Sequence, residues 1–415
     1  MTKQVFEGIK VCDFSWVGAG PQPGRELAMH GATVVRVESH RRPDALRLGM
    51  PFKDFEPGIN RSAFGCAFNT QKLGMSLDYS KPRGQEVARR LIGWADIVMD
   101  SMTPGSLAQW GLDYHSVVEF KPDVIYCSTC QMGHEGPYHA FGGYGAFGAA
   151  YAGFSHILGF PDRTPLLLYN NYSDFVAPWY QTTALIGALL HRRRTGRGMF
   201  LDQSQIEAGV TMLGPMMLDY AVNGRVAGRS GNHDPGLCPH NAYPGRGVDC
   251  WLVIAVRNEE DWRALCRVIG QPDWTRDAKF ATLTARKDNE EELDRLIGVW
   301  TVERTPEAAT AALQSAGVPA APMLTSGEGI VNDPQATHRE AFRWLDHAEI
   351  GSMLYTTPSY RLSATPAAVT RAAPCLGEDN EYVYKDILGY SDDEIAEFLV
   401  EGVITTEADL PGASG

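Results

Sequence analysis

The sequence predicts a two-domain α/β fold, and three features of the chain support this class. The chain has 415 residues, enough for two hydrophobic cores. Its first 40 residues read as strand, Gly/Pro loop, helix and β-branched strand, a unit that normally builds a parallel sheet. Apolar strands and helices then alternate up to about residue 222, where the composition changes.

Short apolar runs mark the strands of the larger domain, and amphipathic runs mark its helices. The expected strands lie at 9–15, 32–38, 97–100, 124–127 and 199–204. The expected helices lie at 25–30, at 84–94, from about 174 to 196, and at 206–222. The third of these ends with arginines and a glycine, which suit the negative end of a helix dipole and a left-handed cap. This order predicts a Rossmann-like large domain.

A segment rich in Gly, Pro, His and Asn at 223–247 predicts a linker between the two domains. The large α/β domain would then cover 1–222. A smaller α/β domain, opening with a strand at 250–256, would cover 248–330. Residues 331–415 are expected to return to the large domain through polar strands, a helix at 380–388 and a short acidic helix after Ser391.

Charge and composition argue against several classes of function. A net charge of −13 disfavours nucleic-acid binding, which needs a basic face. The sequence shows neither a secretion signal nor an apolar run of about 18 residues, so we expect a cytoplasmic protein with reduced thiols. Cys127 and Cys130 form a C-x-x-C without a second ligand pair, which favours buried thiols. We therefore expect no metal.

The loop at 17–24 imitates a dinucleotide-binding fingerprint. Gly18 and Gly20 follow a strand, Gly24 opens a helix, and Glu38 ends the next strand, where an acid would hold the ribose. The glycine spacing is one residue too long, and two prolines remove N–H donors that a pyrophosphate would need. A nicotinamide dehydrogenase is therefore disfavoured, whereas a loop that approaches some other ligand stays open.

A series of ordered motifs resembles the class III CoA transferases, the carnitine/bile-acid (CaiB/BaiF) family. The first motifs are residues 11–21 and 31–38. The later ones are D-x-x-R from Asp44, N-x-x-K from Asn69 with 76–78, the pairs at 95–96, 104–105 and 111–112, G-x-x-G-P at 133–137, Ser173-Asp174, 194–198 with Asp202, 316–322, 332–334, 374–378 and 388–390. The resemblance covers residues 6–404, which is nearly the whole chain.

The resemblance implies an enzyme that moves coenzyme A from an acyl-CoA donor to a carboxylic acid without ATP. CoA is the one cofactor implied, as part of substrate and product. Members of the family form interlocked, ring-like dimers in which each chain runs from large domain to small domain and back. Some members require a related second subunit. We therefore expect a homodimer or a hetero-oligomer with such a subunit, and no nucleic-acid or membrane partner.

Asp174 occupies the position of the family's nucleophile. Without the resemblance, an aspartate just before a helix is more often an N-cap. The resemblance implies instead a carboxylate that forms an aspartyl anhydride, then an aspartyl-CoA thioester, then a second anhydride with the acceptor acid. Asp13 and Asp78 are rival carboxylates that look structural.

The resemblance also suggests which residues contact CoA and the reacting acids. Negative charge that develops during the reaction needs preorganised donors, and the family's first loop lies beside the pantetheine and the reacting carbonyl. The expected cofactor-binding residues are Val17, Gly18, Ala19, Arg41, Arg42, Arg47, Lys72, Ser101, Met102 and Gln131. The expected substrate-pocket residues are Trp16, Gly143 and Tyr144. Each also has an ordinary structural interpretation, and Ser39, Ser101 and Met102 depart from the residues usual in the family.

Two further points concern alternatives and substrates. An α-methylacyl-CoA racemase shares the fold and needs an opposed His and Asp, but 141–145 contains no His, and His134 and His139 lie several residues early.

The general likeness is to enzymes that use succinyl-CoA with aryl-substituted dicarboxylic acids such as benzylsuccinate. The aromatic-rich run at 138–160 would suit a roomy pocket for them. No Gly-rich lid typical of formyl-CoA transferases is found in the sequence.

Overall fold

A six-stranded parallel sheet organises the larger of two compact units in the computed structural model, which describes residues 3–167 and 172–411. Its strands are β1 (Lys10–Asp13), β2 (Thr33–Glu38), β3 (Leu73–Ser76), β4 (Ile97–Asp100), β5 (Ile125–Cys130) and β6 (Met199–Ser204). In space they run β3-β2-β1-β4-β5-β6, and all neighbours are parallel. The predicted parallel sheet is confirmed. Strand β3 was not predicted, because its Gly and Ser give little strand signal.

Helices cover both faces of this sheet. The helices between residues 21 and 223, of which α6 and the end of α9 belong mainly to the smaller unit, are α1 (Pro21–Met29), α2 (Ala63–Ala67), α3 (Pro82–Trp94), α4 (Tyr114–Phe120), α5 (Gly145–Ala152), α6 (Phe154–Ile157), α7 (Tyr172–Thr195), α8 (Gln205–Met212) and α9 (Gly214–Asn223). Successive strand residues point to opposite faces. Val11 and Ile97 join the core beneath α1 and α7, whereas Cys12 and Val98 join the core beneath α3 and α4.

The second unit comprises residues 155–167 and 218–333. Its antiparallel sheet contains β7 (His240–Pro244), β8 (Trp251–Ala255) and β9 (Ala320–Pro322) in that order. Its helices are α10 (Glu259–Ile269), α11 (Leu283–Asp288), α12 (Glu290–Thr301), α13 (Pro306–Ser315) and α14 (Glu328–Val331). The segment 223–247, which was predicted to be a linker, contains strand β7. This strand pairs with β8, and its residue Tyr243 is buried.

Residues 334–411 belong to the larger unit, together with residues 3–154 and 172–217. They form α15 (Pro334–His338), the antiparallel pair β10 (Phe342–His347) and β11 (Gly351–Thr356), a π-helical turn at Tyr382–Ile387 and α16 (Asp392–Val400). Ser391 and Glu394 form a capping box at the start of α16. Val383 and Phe398 are buried in the core of the parallel sheet.

Two predicted helices differ in detail. The helix expected at 206–222 is divided into α8 and α9, because Pro215 has no N–H to continue the hydrogen-bond ladder. Asp174 does not precede its helix but is the third residue of α7, inside the first turn. Within residues 3–167 and 172–411, none of the helices has the length and apolar character needed to cross a membrane.

Candidate active site

The topology of the sheet places one crevice where ligands commonly bind. The order β3-β2-β1-β4-β5-β6 reverses direction between β1 and β4. In open α/β sheets, ligands bind outside the carboxyl ends of the strands at such a switch point. The segments that leave these two strands are the loop 14–20 and the loop that begins with Ser101. The fold therefore assigns the site to these two loops before any side chain is considered.

The loop after β1 is held by polar groups at its base. The Trp16 N–H donates to Ser101 Oγ over 2.7 Å, and Ser101 Oγ donates to the Trp16 carbonyl over 2.9 Å. The Val17 N–H donates to the buried Asp44 carboxylate at 3.0 Å, and Val17 has a φ of +61°. A Cβ at Gly20 would lie 2.6 Å from the Ser101 Cβ, so that position requires glycine. Ser101 thus fixes the loop from β4.

A buried cluster of charges lies beneath this loop. Arg36 is 1% exposed, pairs with Glu38 at 3.0 Å and with Asp44, and donates to the Ser15 carbonyl over 3.0 Å. Burial alone would raise the pKa of Glu38, but the guanidinium groups of Arg36 and Arg47 outweigh it and hold the pKa well below its usual value. Glu38 is therefore not available for a ribose, which agrees with rejecting the dinucleotide fingerprint.

Arg47 and Lys72, both expected to contact CoA phosphates, have their donors committed inside the protein. Arg47 donates to Glu38, Asn60 and the Pro374 carbonyl. Lys72 is 0% exposed, and its Nζ donates to Asp13, the Pro21 carbonyl and Asn69 over 2.7–3.0 Å. Burial lowers the pKa of Lys72 to about 8, although Asp13 opposes this shift. The donors of both cations therefore bond to groups of the protein itself, which favours a structural role over phosphate binding.

The first loop directly faces the Asp174 side chain. Asp174 is 6% exposed. A Cβ built on Gly18 would lie 3.5 Å from the Asp174 Cβ and 3.8 Å from its Oδ2. The carboxylate also stands in the first turn of α7, where the positive end of the helix dipole favours negative charge. The structure therefore brings Gly18 and Asp174, both predicted site residues, into direct proximity.

The start of α5 packs beside the same turn of α7. Ser173 Oγ donates to the Gly145 carbonyl over 3.0 Å. A Cβ at Gly148 would lie 2.6 Å from Gln131 Oε1 and 2.8 Å from Ser173 Oγ. Gln131, at the end of β5, is buried and donates through Nε2 to Gln205.

Gly143 and Tyr144 precede this helix. A Cβ at Gly143 would lie 3.7 Å from Gln131 Cγ, and Tyr144 is exposed. The structure therefore places Gln131 and Gly143 together, and the Ser173 hydrogen bond connects the start of α5 to the turn that carries Asp174.

The two arginines that follow β2 differ in their surroundings. Arg42 is exposed and lies over the Trp16 ring, 5.3 Å from its centroid. Arg41 instead pairs with Asp78 at 3.4 Å and with Asp409 at 2.8 Å. Arg42 is therefore an exposed cation beside the first loop, and Arg41 belongs to a surface network.

A cavity of about 690 Å³ lies beside β4, β5 and β6. Met102, Tyr126 and His134 are among the residues that line it. The Met102 N–H donates to Asp100 over 3.0 Å, which turns the chain toward this cavity. Met102 therefore lies on a cavity wall, whereas Ser101 is committed to holding the first loop.

Three side chains near this cavity could offer ligand atoms to a metal. Atoms of Cys130, His134 and Asp202 lie within 4.8 Å of one another. The Asp202 carboxylate already accepts the His134 N–H with both oxygens, and the His134 ring is hydrogen-bonded to Ser128. Burial raises the pKa of Cys130 to about 11 and that of its neighbour Cys127 to about 12, so both are neutral thiols at physiological pH. We therefore assign no metal to these residues.

Three residues that shape the site were not predicted to do so. Gln22 donates to the carbonyls of Gly18 and Asp174, Ser173 ties α5 to α7, and Asp44 holds the first loop. Asp44 carries a motif signal in the sequence, but its role depends on the fold. Gln22 stands between two prolines and gives no sequence signal.

Comparisons with known proteins agree with this geometry. The sequence matches the model of CoA-transferase family III over residues 6–380. It is 30% identical to succinyl-CoA–D-citramalate CoA-transferase of Chloroflexus aurantiacus over 96% of this chain and 98% of that protein. It is 32% identical to succinate–glutarate CoA-transferase of Agrobacterium fabrum over 93% of this chain and 96% of that protein.

A solved structure supports the same assignment. The crystal structure of a CAIB/BAIF family protein from Brucella suis is similar over 93% of this chain and 100% of that chain, with a TM-score of 0.85 and 29% identity. The family match includes both loops at the switch point and Asp174. Since it spans most of the sequence, the chain belongs to CoA-transferase family III and is a CoA-transferase.

Proposed function

We propose that this enzyme moves CoA between carboxylic acids through covalent intermediates on Asp174. The observation that carries the proposal is the position of this carboxylate, in the first turn of α7 against the glycine loop at the switch point. A side chain at position 18 would occupy the space before the carboxylate, whereas glycine leaves it open to an acyl group. A helix start beside this space supplies the donors that stabilise developing negative charge.

The proposed reaction proceeds in four displacements. The Asp174 carboxylate attacks the thioester carbonyl, which forms a mixed anhydride and releases the CoA thiolate. The thiolate attacks the aspartyl carbonyl, which forms an aspartyl-CoA thioester and releases the donor acid. The acceptor carboxylate attacks this thioester, which forms a second anhydride and the thiolate again. The thiolate then attacks the acceptor's acyl carbonyl, which yields the new acyl-CoA and free Asp174.

Several described residues are proposed to hold CoA along this path. Backbone groups of Val17 and Ala19 would lie beside the pantetheine, since they flank the glycine that faces Asp174. Arg42, exposed on the Trp16 ring, would meet the phosphates. Met102 would contact the adenosine from the cavity wall. Gln131 would contribute polar atoms near the reacting carbonyl, because it packs against the start of α5.

For the substrates, we propose succinyl-CoA as donor and a dicarboxylic acid as acceptor. Two relatives that match nearly the whole chain are named for succinyl or succinate transfer, with citramalate and glutarate as their other acids. Aromatic side chains are exposed just before and within α5, which supports an aryl-substituted acceptor such as benzylsuccinate. These aromatic residues are Tyr138, Phe141, Tyr144, Phe147 and Tyr151.

A racemase is not favoured by the described geometry. Its two-base chemistry needs a His opposite an Asp across the substrate α-carbon. His134 is hydrogen-bonded to Ser128, and His139 bonds to the Gly136 carbonyl of its own turn. Incubation of an α-methylacyl-CoA in D2O is expected to leave the α-carbon unlabelled.

The activity is tested with purified enzyme and succinyl-CoA, offered with glutarate, citramalate or benzylsuccinate in separate reactions. We expect at least one new acyl-CoA, detected by liquid chromatography and mass spectrometry, with succinate released in equal amount. Acetate serves as a monocarboxylate control and is expected to react more slowly. If no acid in the panel accepts CoA from succinyl-CoA, the proposed substrate class is wrong.

A Gly18→Ala variant tests the open space before Asp174. The new methyl group would make ordinary contact with Asp174 and would leave the fold intact, but it narrows the approach of the acyl carbonyl. We expect kcat/KM to fall roughly 10- to 100-fold with the thermal midpoint unchanged. Gly93→Ala on α3, where a Cβ meets nothing within 4 Å, is the control. Equal activity of the two variants would contradict the proposed approach path.

We also propose the interlocked dimer of the family, formed with a second copy or with a related subunit. Helix α7 exposes the large apolar side chains of Trp179, Tyr180, Ile186 and Leu190 in the single chain, which supports burial by a partner. Size-exclusion chromatography with light scattering is expected to show a dimer that persists on dilution. Such a dimer would have no stable separate monomer.

A further inference from the structure

A proline interrupts the hydrogen bonding of α7 at the residue that carries the proposed nucleophile. In an α-helix, the N–H of residue i donates to the carbonyl of residue i−4. Pro178 lies inside α7 and has no N–H, so it cannot donate to the carbonyl of Asp174. A carbonyl left without its helical donor in a buried place costs free energy unless another group donates to it.

The side chain of Gln22 supplies that donor. Its Nε2 donates to the Asp174 carbonyl over 2.9 Å and to the Gly18 carbonyl over 3.0 Å. The two protons of one amide group therefore join the nucleophile's backbone to the backbone of the loop that faces its carboxylate. Gln22 lies in the first turn of α1 and is partly buried, so its side chain is held between the two segments.

We infer that Gln22 is a positioning residue for Asp174, and that Pro178 creates the acceptor on which it acts. This inference rests on the proposed function, because it concerns the alignment of the Asp174 carboxylate with the acyl carbonyl held by the loop. Reactions of well-oriented groups are sensitive to displacements of about 1 Å. Gln22 itself does not contact the reacting atoms, and the loop and α7 keep their other contacts without it.

The first variant removes the amide but keeps the volume. Gln22→Met is expected to lower kcat roughly 10- to 100-fold, with the KM for acyl-CoA and the thermal midpoint close to wild type. Gln314→Met removes a similar side-chain bond, from an exposed glutamine to the Ala320 carbonyl, and serves as the control. Gln22→Asn keeps an amide that is one methylene too short to reach both carbonyls. It is expected to behave like Gln22→Met and replaces it if the methionine variant does not fold.

A second variant distinguishes positioning from general stability. Pro178→Ala restores an N–H that can donate to the Asp174 carbonyl, so the helix no longer depends on Gln22 for that bond. In the wild-type background, Gln22→Met lowers kcat by a certain factor. In the Pro178→Ala background, the factor for the same substitution is expected to be at least about threefold smaller. A structural role unconnected with this carbonyl would give equal factors in both backgrounds.

The outcomes separate this inference from the proposed function. If Gln22→Met and Gln22→Asn both keep wild-type kcat while Asp174→Asn is inactive, the positioning role is wrong and the nucleophile stands. Equal loss of kcat with and without Pro178→Ala also overturns the positioning role. If Asp174→Asn itself keeps full activity, the proposed function fails, whatever the Gln22 variants do.

Discussion

Replacing Asp174 by Asn is expected to abolish CoA transfer almost completely. The amide has the same shape but cannot attack a thioester, so neither the anhydride nor the aspartyl-CoA thioester can form. We expect kcat to fall on the order of 10⁴-fold or more, as when the nucleophile of a covalent catalyst is removed. Initial rates of acyl-CoA formation from succinyl-CoA measure the effect, and equilibrium binding of CoA is expected to persist.

A matched control addresses the alternative that replacing any carboxylate by its amide inactivates the enzyme. Asp202→Asn alters a carboxylate that accepts two bonds from the His134 N–H, an interaction that the amide oxygen can retain in part. That variant is expected to keep most of its activity. Comparable rates for the two variants would remove the reason to assign the chemistry to position 174.

Replacing Arg36 by Met is expected to cause the largest loss of stability. Arg36 is 1% exposed and compensates Glu38 and Asp44, so its removal leaves buried carboxylates with too little positive charge. Breaking such a network costs about 3–5 kcal/mol, a large share of the 5–15 kcal/mol typical of folded proteins. Urea unfolding of the two proteins measures the difference. Activity is also expected to fall, because Arg36 and Asp44 hold the first loop through Ser15 and Val17.

The pH dependence of this loss has a defined sign. The folded-state pKa of Glu38 lies well below the ordinary value of 4.5, so its stabilisation is present above that pH and is lost as the pH falls below it. The difference in the free energy of unfolding between Arg36→Met and the wild type is therefore expected to become smaller only at acidic pH. Arg83→Met, which removes surface pairs with Glu397 and Glu401, is the control and should lower the free energy of unfolding much less. Equal losses for the two arginines would refute the buried-cluster account.

Five of the six strands of the parallel sheet could be predicted because their signals are local. Strands β4 and β6 are continuous runs whose bounds match the prediction, and the βαβ start sets the parallel direction. Asp174 could be proposed as the nucleophile because its neighbours in sequence carry the family resemblance. The division of the helix at 206–222 was missed, although Pro215 gave the signal for it.

The roles of the cations and amides depend on distant contacts and could not be predicted. Arg47 and Lys72 resemble phosphate ligands in the sequence, but the fold pairs them with Glu38 and Asp13. Gln22 donates a hydrogen bond to a residue 152 positions further along the chain, which no local pattern reveals. The charge of a side chain therefore makes it a candidate for phosphate binding. Whether it instead has a structural role depends on the buried groups that the fold places beside it.

The most direct test of the central claim is chemical capture of the activated carboxylate. The enzyme is incubated with succinyl-CoA, quenched with hydroxylamine and digested, and its peptides are sequenced by mass spectrometry. The covalent mechanism predicts a hydroxamate on Asp174, and its absence from Asp174→Asn. Undiminished CoA transfer with an unmodified Asp174, or a hydroxamate on a different carboxylate, would contradict it.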